Sequence, residues 1–284
     1  MQWQGREESS NVDDRRGVSG GGLAIGGGVI GVIFILVKFL LGDGDINDLS
    51  QLVQQPQQQQ TEMTTEQKAA DDKEADFVKV VLKDTEDVWG KIFSDMGKTY
   101  TDPTLVLFRG STTSGCGNAS AASGPFYCPA DQDVYIDLSF AQQLKQQFGA
   151  TGDFAMAYVV AHEVGHHVQD LLGVTKKMQQ IQQRVSETEY NKYSVRLELQ
   201  ADFYAGVWAH YDQKMKNVID PNDIQEALTA ANAIGDDRLQ KEYQGTITPD
   251  SFTHGTSAQR MYWFKKGYDT GDINQGNTFA AGSF

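Results

Sequence analysis

Cysteine is scarce in this sequence, with two residues in 284, and this excludes a disulfide-rich scaffold and a four-cysteine zinc site. Basic residues are also few, because 24 Lys and Arg stand against 38 Asp and Glu and the formal net charge is -14. Such an acidic chain offers no electrostatic surface for phosphate backbones, so we expect no nucleic-acid partner. The length suffices for one sizeable core with accessory segments, or for two small domains.

A long apolar stretch runs from Gly20 to Leu41, and Lys38 is its only charged residue. Its 22 residues would rise about 33 Å as a helix, which is enough to cross the hydrocarbon core of a bilayer. A cleaved signal peptide is one alternative, but no Ala-x-Ala-like site follows; a buried core helix is another, but the flanking sequence is polar. We therefore predict a single transmembrane helix at 20–41.

The basic residues around this stretch predict its orientation. Those that precede it are Arg6, Arg15 and Arg16. None follows it before Lys68. The positive-inside rule then places a tail at 1–19 in the cytoplasm and the chain after Leu41 on the other side of the membrane.

The composition changes again after the apolar stretch. Residues 42–70 are acidic and then Gln-rich, with almost no apolar content, and such a segment cannot repay the entropy lost on ordering. We interpret it as a flexible linker. The remaining residues, 71–284, are predicted to form the globular domain.

Helical spacing of apolar residues from Phe77 to Met96 predicts a first helix that ends near Gly97. Short strands are predicted at Thr104–Phe108 and Val134–Leu138. Further helical stretches are predicted at 153–172, 176–212, 222–243 and 255–267. The expected fold class is α+β, mainly helical with a small sheet.

Cys116 and Cys128 lie in a loop rich in Gly, Ser, Ala and Pro between the two predicted strands. In a domain placed outside the cytoplasm, such a pair predicts a disulfide, and two free buried thiols are the alternative. Closing a loop of this length should stabilise the fold by about 3 kcal/mol in the chain-entropy description.

The segment Ala157–Asp170, AYVVAHEVGHHVQD, carries the clearest chemical pattern. His162 and His166 are four residues apart on a predicted helix, so both imidazoles can reach one metal ion. Glu163 lies beside that face, where a carboxylate can take a proton from a zinc-bound water and return it to a leaving amine. Gly165 removes a side chain where the site needs room.

A catalytic zinc site needs a third protein ligand and one open position. Gln169 and Leu172 occupy the positions where a pattern with a third histidine needs Gly and His. In the segment RLELQADFYAGVWA, Glu198 and Asp202 share one helical face and precede apolar residues. Glu198 is the predicted third ligand, and Asp202 is the predicted acceptor for the spare N–H of a ligand histidine.

His254 lies in SFTHGTSAQRMYWF, near the start of a predicted helix. Its imidazole could stabilise the oxyanion of a tetrahedral intermediate. A hydrogen bond at the start of the helix explains the residue equally well.

Five segments together resemble the bacterial membrane-anchored neutral zinc metallopeptidases: GPFYCP, VYIDLSF, AYVVAHEVGHHVQ, ELQADFYAG and HGTSAQRMYWF. The resemblance covers nearly the whole chain and extends to the glutamate-ligand zinc peptidases, or gluzincins. It implies a zincin-like domain with one catalytic Zn²⁺, with His162, His166 and Glu198 as ligands and Glu163 as the catalytic acid and base.

The expected function is that of a zinc endopeptidase acting on peptide or protein substrates. We expect it to be held in the bacterial inner membrane, with a cytoplasmic N-terminus and a periplasmic catalytic domain. The alternative is a non-catalytic, membrane-tethered binding or assembly factor that uses zinc for structure. The open fourth position and the intact Glu163 favour the enzyme.

Overall fold

A computed structural model describes residues 1–17 and 64–280. These residues form eight α-helices and six β-strands, so the expected mainly helical fold with a small sheet is confirmed. The predicted transmembrane helix at 20–41 and most of the predicted linker lie outside the described residues. Within the described part of the chain, no helix is long and apolar enough to span a bilayer.

The helices are α1 (Thr65–Asp95), α2 (Ser139–Gln146), α3 (Asp153–Leu171), α4 (Val174–Gln182), α5 (Glu187–Lys216), α6 (Asp223–Ala233), α7 (Asp236–Gln244) and α8 (Ser257–Thr270). Two predicted helical stretches, 176–212 and 222–243, are each divided into two helices. Ser186 is the N-cap of α5, since its side chain accepts a hydrogen bond from the amide of Glu189, and a new helix therefore begins here. Gly235 separates α6 from α7.

The helix α1 begins at Thr65, within the segment that composition assigned to the linker. Thr64 and Gln67 form a capping box there, since each side chain accepts from the backbone amide of the other. The helix ends at Asp95, and Gly97 adopts a φ of 68° that an L side chain rarely adopts, in agreement with the predicted stop.

The strands are β1 (Val12–Asp14), β2 (Thr104–Phe108), β3 (Ser111–Ser114), β4 (Gly117–Ser120), β5 (Phe126–Cys128) and β6 (Asp133–Asp137). Four of them form a sheet in the order β1–β2–β6–β5, whereas β3 and β4 form a separate hairpin. β2 runs parallel to both β1 and β6, and β5 runs antiparallel to β6. The two predicted strands are therefore the central pair of the sheet, with β6 beginning one residue earlier than predicted.

Residues 1–17, expected to be a tail separate from the domain, pack on the same body as the rest of the described chain. Val12 pairs with Leu105 in the register that makes β1 an outer strand of the sheet. Trp3 contacts Phe77 of α1 edge to face, with ring centroids 5.4 Å apart. The first residues of the chain are therefore an integral part of the fold.

The disulfide between Cys116 and Cys128 is present, which confirms that prediction. Cys116 lies in the turn between β3 and β4, and Cys128 is the last residue of β5. The bond therefore ties the separate hairpin to the outer strand of the main sheet.

The helical core is built around α3, α5 and α8. Two glycines let α5 and α8 approach backbone to backbone. A Cβ at Gly206 would lie 2.0 Å from the carbonyl oxygen of Phe264, and one at Gly267 would lie 2.1 Å from that of Phe203. Any larger residue at either glycine would force the two helices apart.

Candidate metal centre

The helix α3 carries the His-Glu-x-x-His pattern through the middle of the protein. It packs on α1, α5 and α6, and its residues from Phe154 to Gln169 are buried, apart from the half-buried His166. A helix surrounded in this way is apolar on all sides, which explains the apolar run that leads into His162. Polar side chains on such a helix need specific partners.

The three predicted ligands converge on one point. The Nε2 atom of His162 lies 3.1 Å from one carboxylate oxygen of Glu198, and the Nε2 atom of His166 lies 3.4 Å from the other. All three ligand groups offer atoms within 4.8 Å of one another. Donors at tetrahedral zinc are about 3.3–3.6 Å apart, so two imidazole nitrogens and one carboxylate fit this ion in spacing and in chemistry.

Gly165 brings the two ligand-bearing helices together. A Cβ at this position would lie 3.0 Å from the carbonyl oxygen of Ala201 and 3.2 Å from its Cα atom. The room that the sequence led us to expect around Gly165 is therefore occupied by the backbone of α5. The glycine acts on the site by letting Glu198 approach α3.

His162 is oriented by Asp202, which is fully buried. The Nδ1–H group of His162 donates to Asp202 at 2.9 Å, which leaves Nε2 free to face the other ligands. A second bond to Asp202 comes from the hydroxyl of Tyr158. The carboxylate thus stands where the sequence predicted an acceptor for a ligand histidine.

Arg260 on α8 completes this group, and sequence reasoning missed it. Its side chain is only 2% exposed, and it donates to Asp202 through Nε at 2.8 Å and through Nη2 at 3.0 Å. Nη2 also donates to the hydroxyl of Tyr158 at 3.1 Å. The sequence shows only a single arginine shortly before three aromatic residues, and its partners come from distant helices.

His166 has its own acceptor, which sequence reasoning also missed. The Nδ1–H group donates to the side-chain oxygen of Gln169 at 2.8 Å, one helical turn further on. Gln169 is held in turn, because its amide nitrogen donates to the carbonyl oxygen of Leu197 at 2.7 Å. Both imidazoles therefore turn Nε2 toward Glu198.

The electrostatics of the three ligands show what a metal ion must displace. Burial lowers the pKa of His162, but the charge and hydrogen bond of Asp202 outweigh it and raise that pKa to about 10. Burial raises the pKa of Glu198, but the charges of His166 and His254 hold it well below its usual range. In the metal-free chain the ligands form a buried ion-paired cluster, so metal binding releases protons.

Glu163 lies between the two histidines on α3 and is 7% exposed. Burial lowers the pKa of His166, but the charge of Glu198, with a smaller contribution from Glu163, raises it overall. The carboxylate of Glu163 is therefore close enough to the site for its charge to act on a ligand.

His254 lies in the loop before α8, with its side chain 43% exposed. Asp236 fixes this loop, since one of its oxygens accepts from the amides of Thr253, His254 and Gly255. Its other oxygen is 3.3 Å from Nδ1 of His254. Burial lowers the pKa of His254, but the charge of Glu198 and the bond to Asp236 raise it overall.

The other two histidines are used elsewhere. His167 contacts the carbonyl oxygen of Thr101 at 2.6 Å through Nε2, and His210 contacts that of Tyr268 at 2.8 Å through Nδ1. Neither belongs to the converging set of ligand atoms found among residues 1–17 and 64–280.

These features define a candidate metal site, with two histidines from α3 and one glutamate from α5. Residues 1–279 match the profile of the family described as "Putative neutral zinc metallopeptidase". The match covers nearly the whole chain, so the protein belongs to this family. Membership supports zinc and a peptidase-type hydrolase at the level of the family.

Similar proteins occur in Escherichia coli and in mycobacteria. "Uncharacterized protein YpfJ" of Escherichia coli K12 is 51% identical over 98% of this chain and 99% of its own length. "Uncharacterized protein Mb2605" of Mycobacterium bovis and "Uncharacterized protein Rv2575" of Mycobacterium tuberculosis are each 50% identical over 64% of this chain and 64% of their own. No solved structure matches the chain.

Proposed function

We propose that this chain is a zinc-dependent endopeptidase. The observation that carries the proposal is the convergence of His162, His166 and Glu198 with Glu163 beside them. Three protein ligands leave one tetrahedral position open, which a catalytic site needs and a purely structural site does not. A buried carboxylate next to that position suits hydrolysis, because the attacking water needs a proton acceptor there.

The residues of the site divide the work among them. Zinc, when bound, supplies a Lewis acid that makes water acidic and polarises the scissile carbonyl group. Glu163 takes the proton from the attacking water and returns it to the departing amine. Asp202 and Gln169 hold the two imidazoles in the tautomer that presents Nε2 to the ion.

His254 is the proposed donor to the oxyanion that develops on the substrate. Its raised pKa favours the protonated ring, and Asp236 holds both the ring and the loop that carries it. The 43% exposed side chain can meet a substrate that enters from solvent. A prepositioned donor of this kind stabilises the transition state more than the ground state.

The disulfide and the apolar stretch support a location for the protein in the cell. The Cys116–Cys128 disulfide supports an oxidising compartment for the domain, since such bonds persist outside the cytoplasm. We place the domain at the periplasmic face of the bacterial inner membrane, attached through the apolar stretch at 20–41.

The test uses the full chain, purified in detergent, with unfolded proteins and peptide libraries as substrates. Wild type should bind one zinc ion and lose hydrolysis when a chelator removes it. Glu163→Gln should keep the zinc and lose at least about 100-fold in rate, whereas Glu198→Ala should lose zinc and activity together. Glu242→Gln, at an exposed position of α7, is the matched control and should behave as wild type.

Two results would overturn this assignment. Full activity of Glu163→Gln on substrates whose cleavage needs the metal would exclude the proton-transfer role. A wild-type protein that binds zinc but cleaves none of these substrates would favour the non-catalytic binding or assembly factor.

A further inference from the structure

We propose that residues 1–17 and the catalytic domain lie on the same side of the membrane. The basic residues of the sequence predict the opposite, with the tail in the cytoplasm and the domain outside. A single crossing at 20–41 would separate the two parts by the thickness of a bilayer. The contacts that join the two parts lie among the described residues on either side of that stretch.

The first observation is the backbone pairing of β1 with β2. The amide of Leu105 donates to the carbonyl oxygen of Asn11 at 2.9 Å, and the amide of Arg15 donates to that of Leu107 at 2.7 Å. The register runs from Val12 opposite Leu105 to Asp14 opposite Leu107. Hydrogen bonds of this kind need direct contact, so they exclude a membrane between the two strands.

The second observation is what β1 covers. Without it, β2 would become an outer strand with a row of unpaired backbone groups. The β2 segment Leu105–Phe108 is fully apolar and buried, which makes an exposed edge there a site for aggregation. The domain therefore needs the tail to cover the β2 edge of its sheet.

The third observation is the set of polar contacts between the tail and α1. Arg6 donates through Nη1 to Asp84 at 2.9 Å, and Arg16 donates through Nη1 to Asp71 at 2.8 Å. Both aspartates are buried. The hydroxyl of Ser9, itself buried, donates to Glu86. Removing the tail would leave buried carboxylates without these partners, which is costly.

The fourth observation concerns the arginines from which the orientation was predicted. Arg6 and Arg16 bind α1, and Arg15 donates to the carbonyl oxygen of Thr113 at 3.0 Å. All three are therefore used within the folded protein. Charges engaged in this way do not act as a free basic flank, so the positive-inside rule does not decide the side of the tail.

Together these contacts place both ends of the undescribed stretch, residue 17 and residue 64, on one folded body. Residues 1–17 and the domain then lie on the same side of any bilayer that the protein meets. Since the disulfide argues for an oxidising compartment, the tail belongs in that compartment with the domain. This inference does not depend on the proposed peptidase activity.

The test labels single cysteines in the full-length protein in cells. Ser10→Cys marks the tail and Gln180→Cys marks the domain, and both positions are exposed. The native cysteines are joined in the disulfide and do not react. A membrane-impermeant maleimide is applied to spheroplasts and, separately, to inverted membrane vesicles. Peptide mass spectrometry then assigns the label to residue 10 or residue 180.

Labelling of both positions in the same preparation, and of neither in the other, is the expected result. Labelling of residue 10 only in inverted vesicles and of residue 180 only in spheroplasts would overturn the proposal. A permeant maleimide should label both in every preparation, which shows that each thiol is reactive. Because the readout is a position and not hydrolysis, an inactive protein would leave the result unchanged.

Discussion

Two aspartates of α5, ten residues apart, are both completely buried, yet their surroundings differ. Asp202 faces the candidate metal centre and accepts from Arg260, Tyr158 and His162. Asp212 faces α1 near the tail, and neither of its oxygens has a hydrogen-bond partner among the residues that the structure describes. Burial alone therefore does not decide whether a carboxyl group is ionised.

The pKa directions express this difference. Burial raises the pKa of Asp202, but the charges of Arg260 and His162 outweigh it and hold the pKa far below its usual range. For Asp212, burial and the charge of Asp84 act together and raise the pKa to about 7. The first carboxylate is a permanent anion that orients His162, whereas the second changes its charge near neutral pH.

The largest effect is expected from removing the partner of Asp202. Arg260→Met keeps an unbranched stem but removes the guanidinium, which leaves a buried carboxylate without its cation. We expect the free energy of unfolding to fall by about 3–5 kcal/mol, measured by urea unfolding of the metal-free protein. Zinc affinity, measured by competition with a chelator, should fall as well because His162 loses its fixed orientation.

Lys265→Met on the same helix is the matched control. Lys265 is exposed and pairs with Asp269 one turn away, so its loss should change stability by less than about 0.5 kcal/mol. Equal effects of the two substitutions would show that Arg260 contributes no more than a surface charge.

A smaller loss is expected from breaking the contact between the tail and α1. Arg6→Met removes one cation from Asp84, while Lys216 still donates to the same carboxylate at 2.6 Å. The free energy of unfolding should fall by about 2 kcal/mol, the usual value for a hydrogen bond to a charged group. Lys176→Met, at an exposed position of α4, should leave the urea midpoint unchanged. If Arg6→Met did the same, the tail would contribute nothing at this contact.

The smallest effect, and one of opposite sign, is expected at Asp212. Its pKa is raised in the folded protein, so folding retains a proton that the unfolded chain has lost above about pH 4. This contribution to stability is complete at low pH and is lost as the pH rises through about 7. The charges that face it are those of Asp84, Lys216, Arg6 and Asp87.

Asp212→Asn should therefore stabilise the protein by about 1 kcal/mol at pH 8. It should also make the free energy of unfolding depend less on pH between about pH 5 and 8. The gain is small because the amide also lacks hydrogen-bond partners. Thermal unfolding over this pH range measures it, and Asp269→Asn at an exposed position is the control. An unchanged slope for Asp212→Asn would mean that Asp212 is ionised in the folded protein at all these pH values.

Local patterns made several features predictable from the sequence. The apolar run of β2 predicted where this strand begins and ends, and Gly97 predicted the end of α1. The i, i+4 spacings predicted that His162, His166 and Glu198 lie on facing helices. In each case the information lies within a few neighbouring residues.

The features that escaped prediction depend on residues far apart in the chain. The β1 segment, Val-Asp-Asp, has no strand pattern of its own and is a strand because β2 offers it an edge. Arg260 reaches Asp202 only because α8 packs against α5, and that packing cannot be read from either helix alone. Gln169 was within reach, since it follows His166 by one helical turn.

The glycine contact between α5 and α8 has a consequence for recognising this protein family by sequence. Glu198, Asp202 and Gly206 follow one another at intervals of four along one row of α5, whereas Arg260 and Gly267 lie two turns apart on α8. The short distance between α5 and α8, which brings Arg260 to Asp202, therefore depends on Gly206 and Gly267, the two residues that have no side chain. A signature written as Glu-x₃-Asp-x₃-Gly followed by Arg-x₆-Gly would select chains that can assemble the complete centre. The His-Glu-x-x-His pattern alone would also admit chains that carry two histidines and nothing to orient them.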